Sequence, residues 1–212
     1  MTPPPDRSRT RQPPEPGSAR ESETTWRIGR NVPWTAAWSG ESAFALRPSR
    51  LFPGMTELSQ IERPGVGQPN FAAVHVDRQR RGLAEHLCHV CGAPTRAGER
   101  WMFPVASGGF VTLHDGGVGW GCNVPPMHEA CARLAATLCP RLTRLAEQPT
   151  RAPDENGRLI WRTDVVPGME ALAATLPPTQ PVVFSCYRLF SPAAARRVEA
   201  DRANWEAGRR AR

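Results

Sequence analysis

Two short pairs of potential metal ligands stand out in the sequence. Cys88 and Cys91 form a Cys-x2-Cys pair followed by Gly92, and His128 and Cys131 form a His-x2-Cys pair further along the chain. Thiolate sulfur and imidazole nitrogen are the ligands that Zn²⁺ prefers in tetrahedral sites. Glycine after the second cysteine allows the tight turn that such a pair needs. Together the pairs predict a zinc site with four protein ligands, which is structural because no position stays open.

The remaining cysteines leave one alternative open. Either pair alone is weak evidence, because a lone Cys-x2-Cys is often accidental or redox-active. Both pairs in this order are much more specific. Cys122 is the main competitor for the fourth ligand position, although it precedes the predicted helix. Cys139 lies eight residues after Cys131, on about the same helix face but two turns away, and is predicted to belong to the core. Cys186 lies in an apolar strand and is predicted to be buried.

The elements around the two pairs are predicted from residue patterns. Residues 78–87 form a short helix that leads into the first pair, with Asp77 as its N-cap. Residues 100–105 and 110–114 form a hairpin between the pairs. Apolar spacing starts a helix near Met127, whose first turn favours metal-bound thiolate. The order of these parts is a tight cysteine turn, a hairpin and the start of a helix. It predicts an α+β fold with a treble-clef-like core, extra strands and a C-terminal helix.

The chain divides into four predicted regions. Residues 1–25 are rich in Pro, Ser, Arg and Glu without apolar periodicity, which predicts a disordered tail. Residues 26–147 are the predicted zinc-binding α+β domain. Residues 148–208 form a strand-and-helix extension packed on this core, and residues 209–212 are a frayed end.

Three further elements have clear local signals. Pro140 cannot continue the preceding helix and is predicted to start a second, shorter one. Residues 182–187 form the most strand-like run of the chain. Ser191 is a favourable N-cap and Pro192 a favourable first helical residue, so a helix is expected from there to about Gly208.

Composition limits the class of protein. Leu, Ile, Val and Phe account for 38 of 212 residues, below the roughly 20% that marks well-cored domains, so a metal would supplement a thin apolar core. No run approaches about 18 apolar residues, so no membrane span is expected. The N-terminus lacks the apolar segment of a signal peptide, which favours a cytoplasmic location. Thiols stay reduced there, and the cysteines are then metal ligands sooner than disulfides.

The charge distribution gives only mild support for a nucleic-acid partner. The net charge is +7, and Lys is absent, so part of the Arg excess reflects composition. Cations in the first turn of a helix oppose its dipole. Arg78, Arg80 and Arg81 crowd the first turn of the predicted helix 78–87, which points to an outside anion or an acidic partner. The alternative is a solvated face beside Asp77 and Glu85. The candidate nucleic-acid contacts are Arg78, Arg80, Arg81, Arg196 and Arg197, with Arg209 and Arg210 near the end.

Three functional hypotheses follow. The first is a zinc-stabilised module that binds nucleic acid or protein. The second is a His-Asn-His-type nuclease, with His114 as general base and Asn123 as its orienting partner. That hypothesis lacks a third residue, because His128 is assigned to zinc and no histidine follows on the helix. The third is a structural or regulatory protein with no ligand except zinc. No convincing catalytic constellation is present, which makes an enzyme the less favoured alternative.

Several runs are similar to a group of uncharacterised actinobacterial proteins. They are residues 32–41, 74–81, 87–92, 126–132 and 139–140. In that group a second Cys-x2-Cys pair precedes an Ala and, later, a Cys-Pro. Here His128 stands where Cys is usual, and both residues bind zinc. The resemblance covers roughly residues 32–142 and implies a zinc-binding domain without indicating an activity.

Overall fold

The computed structural model describes residues 25–112, 118–163, 170–175 and 181–211. Within these ranges the chain mixes helices and small sheets, so the predicted α+β class is confirmed. The predicted tail lies outside the described residues except for Thr25. The helices are α1 (Val76–Glu85), α2 (Glu129–Leu138), α3 (Pro140–Leu145), α4 (Glu170–Ala173) and α5 (Pro192–Arg210).

The described strands form four small sheets. They are β1 (Ala36–Trp38), β2 (Phe44–Pro48), β3 (Thr56–Gln60), β4 (Pro69–Val74), β5 (Trp101–Met102), β6 (Gly108–Thr112), β7 (Val118–Cys122), β8 (Thr150–Arg151), β9 (Arg158–Arg162), β10 (Val182–Val183) and β11 (Ser185–Leu189). The sheet orders are β1-β4, β10-β3-β2, β6-β7-β11-β9 and β5-β8. Only the β10–β3 pair is parallel among these described pairings.

The predicted strand at residues 182–187 is divided between two sheets. β10 pairs with β3, whereas β11 lies between β7 and β9. Phe184 is the residue at the crossing, and its side chain is buried. This continuous apolar run enters both sheets. It therefore joins the β10-β3-β2 sheet, whose strand β3 contacts α1, to the four-stranded sheet, whose strand β7 contacts α5.

The predicted hairpin is wrong in its pairing. β6 pairs with β7, while β5 pairs with β8 and bridges to Met127. The chain leaves β5 through a turn in which Ser107 N–H donates to the Phe103 carbonyl and Ser107 Oγ accepts from Phe103 N–H. Gly108, predicted to be in the turn, belongs to β6. A Cβ there would lie 2.2 Å from the Gly121 carbonyl oxygen, so the close strand pairing requires glycine.

The predicted N-cap of α1 is also wrong. His75 is the N-cap, and its Nδ1 accepts from the Arg78 N–H. Asp77 lies inside the first turn, where its carboxylate accepts instead from Ser59 Oγ and from the Gln60 N–H at 2.7 Å. Asp77 therefore ties α1 to β3, a tertiary role that local capping preferences could not indicate.

The local signals at Pro140 and at Ser191-Pro192 give the expected helices. α2 ends at Leu138 and α3 starts at Pro140, as predicted. Ser191 caps α5 by accepting the Ala194 N–H, and Pro192 is its first residue. α5 continues to Arg210, beyond the predicted end near Gly208. Among the described residues, none of the helices combines the length and the apolar character needed to cross a bilayer.

Candidate metal centre

Four side chains from two distant segments converge at one point. The ligand atoms of Cys88, Cys91, His128 and Cys131 all lie within 4.8 Å of one another. His128 Nδ1 is 3.4 Å from Cys91 Sγ and 3.9 Å from Cys131 Sγ. A tetrahedral zinc site has ligand–ligand edges of about 3.5–3.8 Å, given Zn–S near 2.3 Å and Zn–N near 2.0 Å. The cluster could therefore hold one metal ion.

The first two ligands are placed by a tight turn. Cys88 N–H donates to the Ala93 carbonyl and Gly92 N–H to the Cys88 carbonyl, both at 2.8 Å. Gly92 has φ of 76° and lies against the ring of Trp34, which a Cβ would approach to 2.9 Å. Glycine is thus required twice, for its left-handed backbone conformation and for the space beside the indole.

Backbone hydrogen bonds fix the turn against the rest of the domain. His89 N–H donates to the Pro126 carbonyl at 2.9 Å, directly before the second ligand pair. On the other side, Trp34 N–H donates to the Val90 carbonyl at 2.8 Å. His89 Nδ1 also lies 2.6 Å from Thr35 Oγ1. The turn is therefore held between the Trp34 segment and the start of α2, rather than by its own hydrogen bonds alone.

His128 is oriented to present one nitrogen to the cluster. Its Nε2 lies 3.1 Å from the Pro94 carbonyl oxygen, which can only accept, so Nε2 carries the proton. Nδ1 is then unprotonated and faces Cys91 and Cys131. Metal-bound histidines usually donate their second ring N–H to a carbonyl or carboxylate in this way. Pro94 directly follows the turn that carries Cys88 and Cys91. The segment of the first ligand pair therefore orients His128 of the second pair.

Without a cation, burial and the neighbouring sulfurs disfavour the ionised form of the clustered thiols. Burial raises the pKa of Cys88, although backbone N–H groups of Cys91, His128 and Val90 donate toward its sulfur and oppose the rise. Burial, together with the neighbouring Cys88 and Cys91, raises the pKa of Cys131 to about 12. A bound dication reverses this balance, because it stabilises the thiolate form of every ligand. The donor set therefore fits a soft or borderline metal ion.

The other cysteines stand apart from the cluster. Cys122 is buried, and its Sγ donates to the Ser107 and Val124 carbonyls at 3.1 and 2.9 Å. Burial raises its pKa to about 12, which keeps it a thiol. It is therefore not among the four clustered ligands. Cys186 is buried as predicted. Cys139 is only partly buried, in contrast to the prediction, because it lies at the edge of the core at the end of α2.

Two of the predicted nucleic-acid contacts are enclosed in the protein. Arg78 is 0% exposed and forms a bidentate pair with Glu41, with distances of 2.6 and 2.8 Å. Arg80 is 4% exposed and lies 3.2 Å from Glu57, while its Nη2 donates to the Leu58 carbonyl. Neither guanidinium is available at the surface, so neither the nucleic-acid contact nor the solvated face expected for these two residues is present.

The arginines in the first turn of α1 predicted an outside anion, but the anion that Arg78 binds is a carboxylate of the protein itself, Glu41. Glu41 is fully buried and accepts four hydrogen bonds, two from Arg78 and one each from the Trp38 and Arg63 N–H groups. Burial raises the pKa of Glu41, but these donors outweigh it and leave the pKa below its ordinary value. Sequence reasoning detected the excess of positive charge in the helix. It could not locate Glu41, because the partner lies 37 residues earlier.

The other five arginines named as candidate contacts are exposed: Arg81, Arg196, Arg197, Arg209 and Arg210. Arg81 lies over the Trp34 ring, 5.1 Å from its centroid, with Glu62 at 3.4 Å. Arg197 Nη2 donates to the Arg151 carbonyl at 2.5 Å. Arg196 has an exposed side chain with no partner among the described residues. These positions remain candidates for an external contact.

The proposed nuclease pair is not assembled in the described part of the chain. His114 lies outside the described residues. Asn123 follows β7, is exposed, and uses its backbone to bond Ser107 and Gln79. His128, the histidine at the start of α2, belongs to the metal cluster. Nothing in the described site favours the nuclease hypothesis.

Comparisons with known proteins supply no relative, since the chain matches no family model, no curated protein and no solved structure. The resemblance to actinobacterial proteins therefore stays a prediction.

Proposed function

We propose that this protein is a binding module built around a structural zinc centre, with Cys88, Cys91, His128 and Cys131 as the ligands. One observation carries this proposal: the four ligand atoms lie within 4.8 Å of one another. Three thiolates and one imidazole favour Zn²⁺ over hard cations such as Mg²⁺ or Ca²⁺. Four protein ligands leave no position for a reacting water, so the role of the metal is to stabilise the fold.

A treble-clef arrangement of the centre is supported by the order of its parts. The cysteine turn comes first, the β6–β7 hairpin lies between the ligand pairs, and the second pair stands at the start of α2. His128 is the N-cap of α2 and Cys131 lies in its first turn. The corrected hairpin pairing preserves this order, because the hairpin still falls between the two pairs.

The exposed part of α5 is the surface that we propose for an acidic partner, and we favour nucleic acid. α5 carries Arg196, Arg197, Arg209 and Arg210 as exposed residues. Arg209 lies 5.2 Å from the centroid of Trp205, which combines a cation with a flat ring that is suited to base stacking. The net charge of +7 agrees in sign with this partner.

Elemental analysis of the purified protein tests the zinc proposal. We expect one zinc per chain, with loss of zinc in Cys88→Ser and in His128→Ala. Cys139→Ser is the matched control, because Cys139 lies near α2 but outside the cluster. Wild-type protein without stoichiometric metal, or undiminished zinc in both ligand variants, would refute the proposed centre.

Electrophoretic mobility shifts at several salt concentrations test the partner. The Arg196→Gln/Arg197→Gln variant should bind DNA or RNA more weakly and lower the salt slope by about one per lost phosphate contact. The Arg96→Gln/Arg158→Gln variant removes the same charge from exposed arginines outside α5. Equal weakening in both variants would show a general charge effect. Absence of binding at low salt would exclude the nucleic-acid partner while leaving the zinc centre untouched.

A further inference from the structure

β4 is an edge strand that exposes large apolar side chains. Among the described strands it pairs only with β1, and most of its residues are exposed. Phe71 is 58% exposed and Val74 is 42% exposed. Single exposed apolar residues are ordinary, but several that lie together often mark a surface where another molecule binds. The surface around Phe71 is therefore a candidate interaction site.

A bulge in β4 holds Phe71 away from the strand pair. Two consecutive residues of β1 pair with Asn70 and Val74, so the three residues between these partners have no partner in β1. Within the bulge, Asn70 Oδ1 accepts the backbone N–H of Ala72 at 3.0 Å. Bulges at sheet edges re-aim side chains and are built features of a fold. The exposure of Phe71 thus follows from how the backbone is arranged.

A second aromatic ring supports Phe71. The Trp26 ring meets it edge to face, with the ring centroids 5.6 Å apart and an angle of 61° between the ring planes. Trp26 is itself fixed, because it packs against the buried cluster that contains Trp38. Its Nε1 also donates to Gln68 Oε1 at 2.9 Å. The Phe71 ring is therefore exposed on a fixed support, which lowers the entropy lost when a ligand binds to it.

The two segments that carry these rings are positively charged. Residues 25–32 contain Arg27 and Arg30, residues 63–74 contain Arg63, and neither segment contains Asp or Glu. All three arginines are exposed, and in the described part of the chain none of them forms an ion pair. Glu62 precedes the second segment, but it lies 3.4 Å from Arg81. The positive charge of this surface is therefore not balanced within the two segments.

Hydrogen bonds bring the charges and the rings together. The Arg30 N–H donates to the Arg27 carbonyl at 3.1 Å, so both arginines lie in one turn directly after Trp26. Arg63 starts the turn that leads to Gln68, and the bond between Gln68 and Trp26 joins the two segments. Exposed cations therefore flank an exposed ring on both sides of this bond.

We propose that this surface binds single-stranded nucleic acid, with a base stacked on the Phe71 ring. The Phe71 surface consists of Trp26, Arg27, Arg30, Arg63 and Phe71. The inference rests on the nucleic-acid partner proposed above, and it names the form of that partner and a second contact apart from α5. Every base has a flat face that stacks on an aromatic ring, and guanidiniums bind phosphate oxygens. In a duplex those faces are covered by neighbouring base pairs, so the surface favours an unpaired strand.

Fluorescence anisotropy of a labelled oligothymidylate, titrated with the zinc-loaded full chain, tests the stacking. Phe71→Leu keeps an apolar side chain but removes the ring, and should weaken binding about tenfold, the order expected for one lost base–aromatic stack. Phe71→Tyr keeps the ring and should bind like the wild type. Phe110→Leu is the matched control, because Phe110 is 44% exposed and lies in a different sheet. Binding of the duplex with oligodeoxyadenylate should be insensitive to Phe71→Leu.

A charge variant tests the phosphate contacts in the same assay. Arg27→Gln/Arg30→Gln should lower the salt slope by about 1.4, since each phosphate contact contributes about 0.7 for single strands. Arg96→Gln/Arg158→Gln removes the same charge from exposed arginines elsewhere and should leave the slope near the wild-type value. Equal slopes in the two double variants would contradict a phosphate contact at the Phe71 surface.

The outcomes distinguish this surface from the one proposed on α5. Unchanged binding in Phe71→Leu, equal weakening in Phe110→Leu, or equal weakening for strand and duplex would overturn the proposal. A change of oligomeric state in Phe71→Leu would also overturn it, because the surface would then join two copies of the chain. Weakening in Arg196→Gln/Arg197→Gln alone would leave only the α5 contact standing, and weakening in Phe71→Leu alone would leave only the Phe71 surface. Absence of all binding at low salt overturns both contacts, and zinc content measured in parallel shows whether the metal centre is intact.

Discussion

Two polar centres flank α1 and are stabilised in opposite ways. At its first turn, Glu41 is surrounded by Arg78 and backbone N–H groups, so negative and positive charges balance within the protein. Beyond its last turn, roughly 15 Å along the helix axis, the Cys₃His cluster gathers three thiols whose ionised forms repel one another. The first centre is complete in the polypeptide, whereas the second requires a cation.

This difference indicates what each centre contributes. A buried ion pair stabilises little relative to an apolar core but fixes geometry, and breaking it is strongly destabilising. A structural metal contributes its binding free energy directly to folding. The region around α1, β1 and β3 should therefore tolerate metal removal better than the cysteine turn and α2. Each of the following predictions tests that contrast.

The largest effect should follow from removing the metal. Chelation of the zinc-loaded protein, or Cys88→Ser, should lower the free energy of unfolding by on the order of 10 kcal/mol, because the metal and its ligands act as one unit. Hydrogen exchange should show loss of protection first in the cysteine turn and in α2. Urea unfolding of holo and metal-free protein, followed by Trp fluorescence, measures the total change.

Cys139→Ser provides the control for this first change. It exchanges the same atoms outside the cluster and should retain both zinc and most of the stability. If protection were lost equally around Glu41 and around the cluster, the two centres would unfold as one unit. The proposed contrast would then be wrong, even if zinc were bound.

The next largest effect concerns the internal ion pair. Arg78→Met leaves the buried Glu41 carboxylate without its bidentate partner and should cost about 3–5 kcal/mol. Zinc content should stay at the wild-type level, which is the reverse of the result expected for Cys88→Ser. Arg81→Met makes the same change in an exposed residue of the same helix and should cost less than about 1 kcal/mol.

Double substitution sharpens this second prediction. Glu41→Gln combined with Arg78→Met removes both charges and should cost less than the sum of the single changes, because neither charge is left unpaired. Strict additivity in urea unfolding would mean that the two residues do not stabilise each other. Zinc loss in Arg78→Met would instead show that the metal centre depends on the ion pair.

The sequence predicted the metal centre better than the ion-pair centre, for a physical reason. Zinc ligands are few residue types with fixed short spacings, and Gly92 marks the turn locally. The Glu41–Arg78 pair has no spacing rule, and glutamate and arginine are common surface residues. The β6–β7 pairing was missed for a related reason: Gly108 and Gly109 are typical of turns, and only the closeness of Gly121 explains why a strand requires glycine at position 108.

A third prediction separates backbone strain from packing at the cysteine turn. Gly92 and Gly54 have similar positive φ values of 76° and 79°, but only Gly92 faces a neighbour, the Trp34 ring. Gly54→Ala should cost roughly 1–2 kcal/mol from strain alone. Gly92→Ala should cost an additional 1–3 kcal/mol or so from the clash, and should weaken zinc binding in a chelator competition. Equal costs, with unchanged zinc affinity, would show that Trp34 does not support the turn.

The smallest effect should be the pH dependence of the ion-pair centre, because burial raises the pKa of Glu41 and offsets part of what its donors lower. The net pKa in the folded protein still lies below the ordinary value of 4.5. Such a group stabilises the fold above its unfolded pKa, and this contribution is lost as the pH falls through the folded pKa. The difference in unfolding free energy between wild type and Glu41→Gln should therefore be constant near neutral pH and narrow below about pH 4.5. Acid also releases zinc from both proteins, and this common loss cancels in the difference. A difference that widens on acidification would mean that the pKa of Glu41 in the folded protein lies above its ordinary value. Its centre, like the cysteine cluster, would then not be balanced by the polypeptide alone.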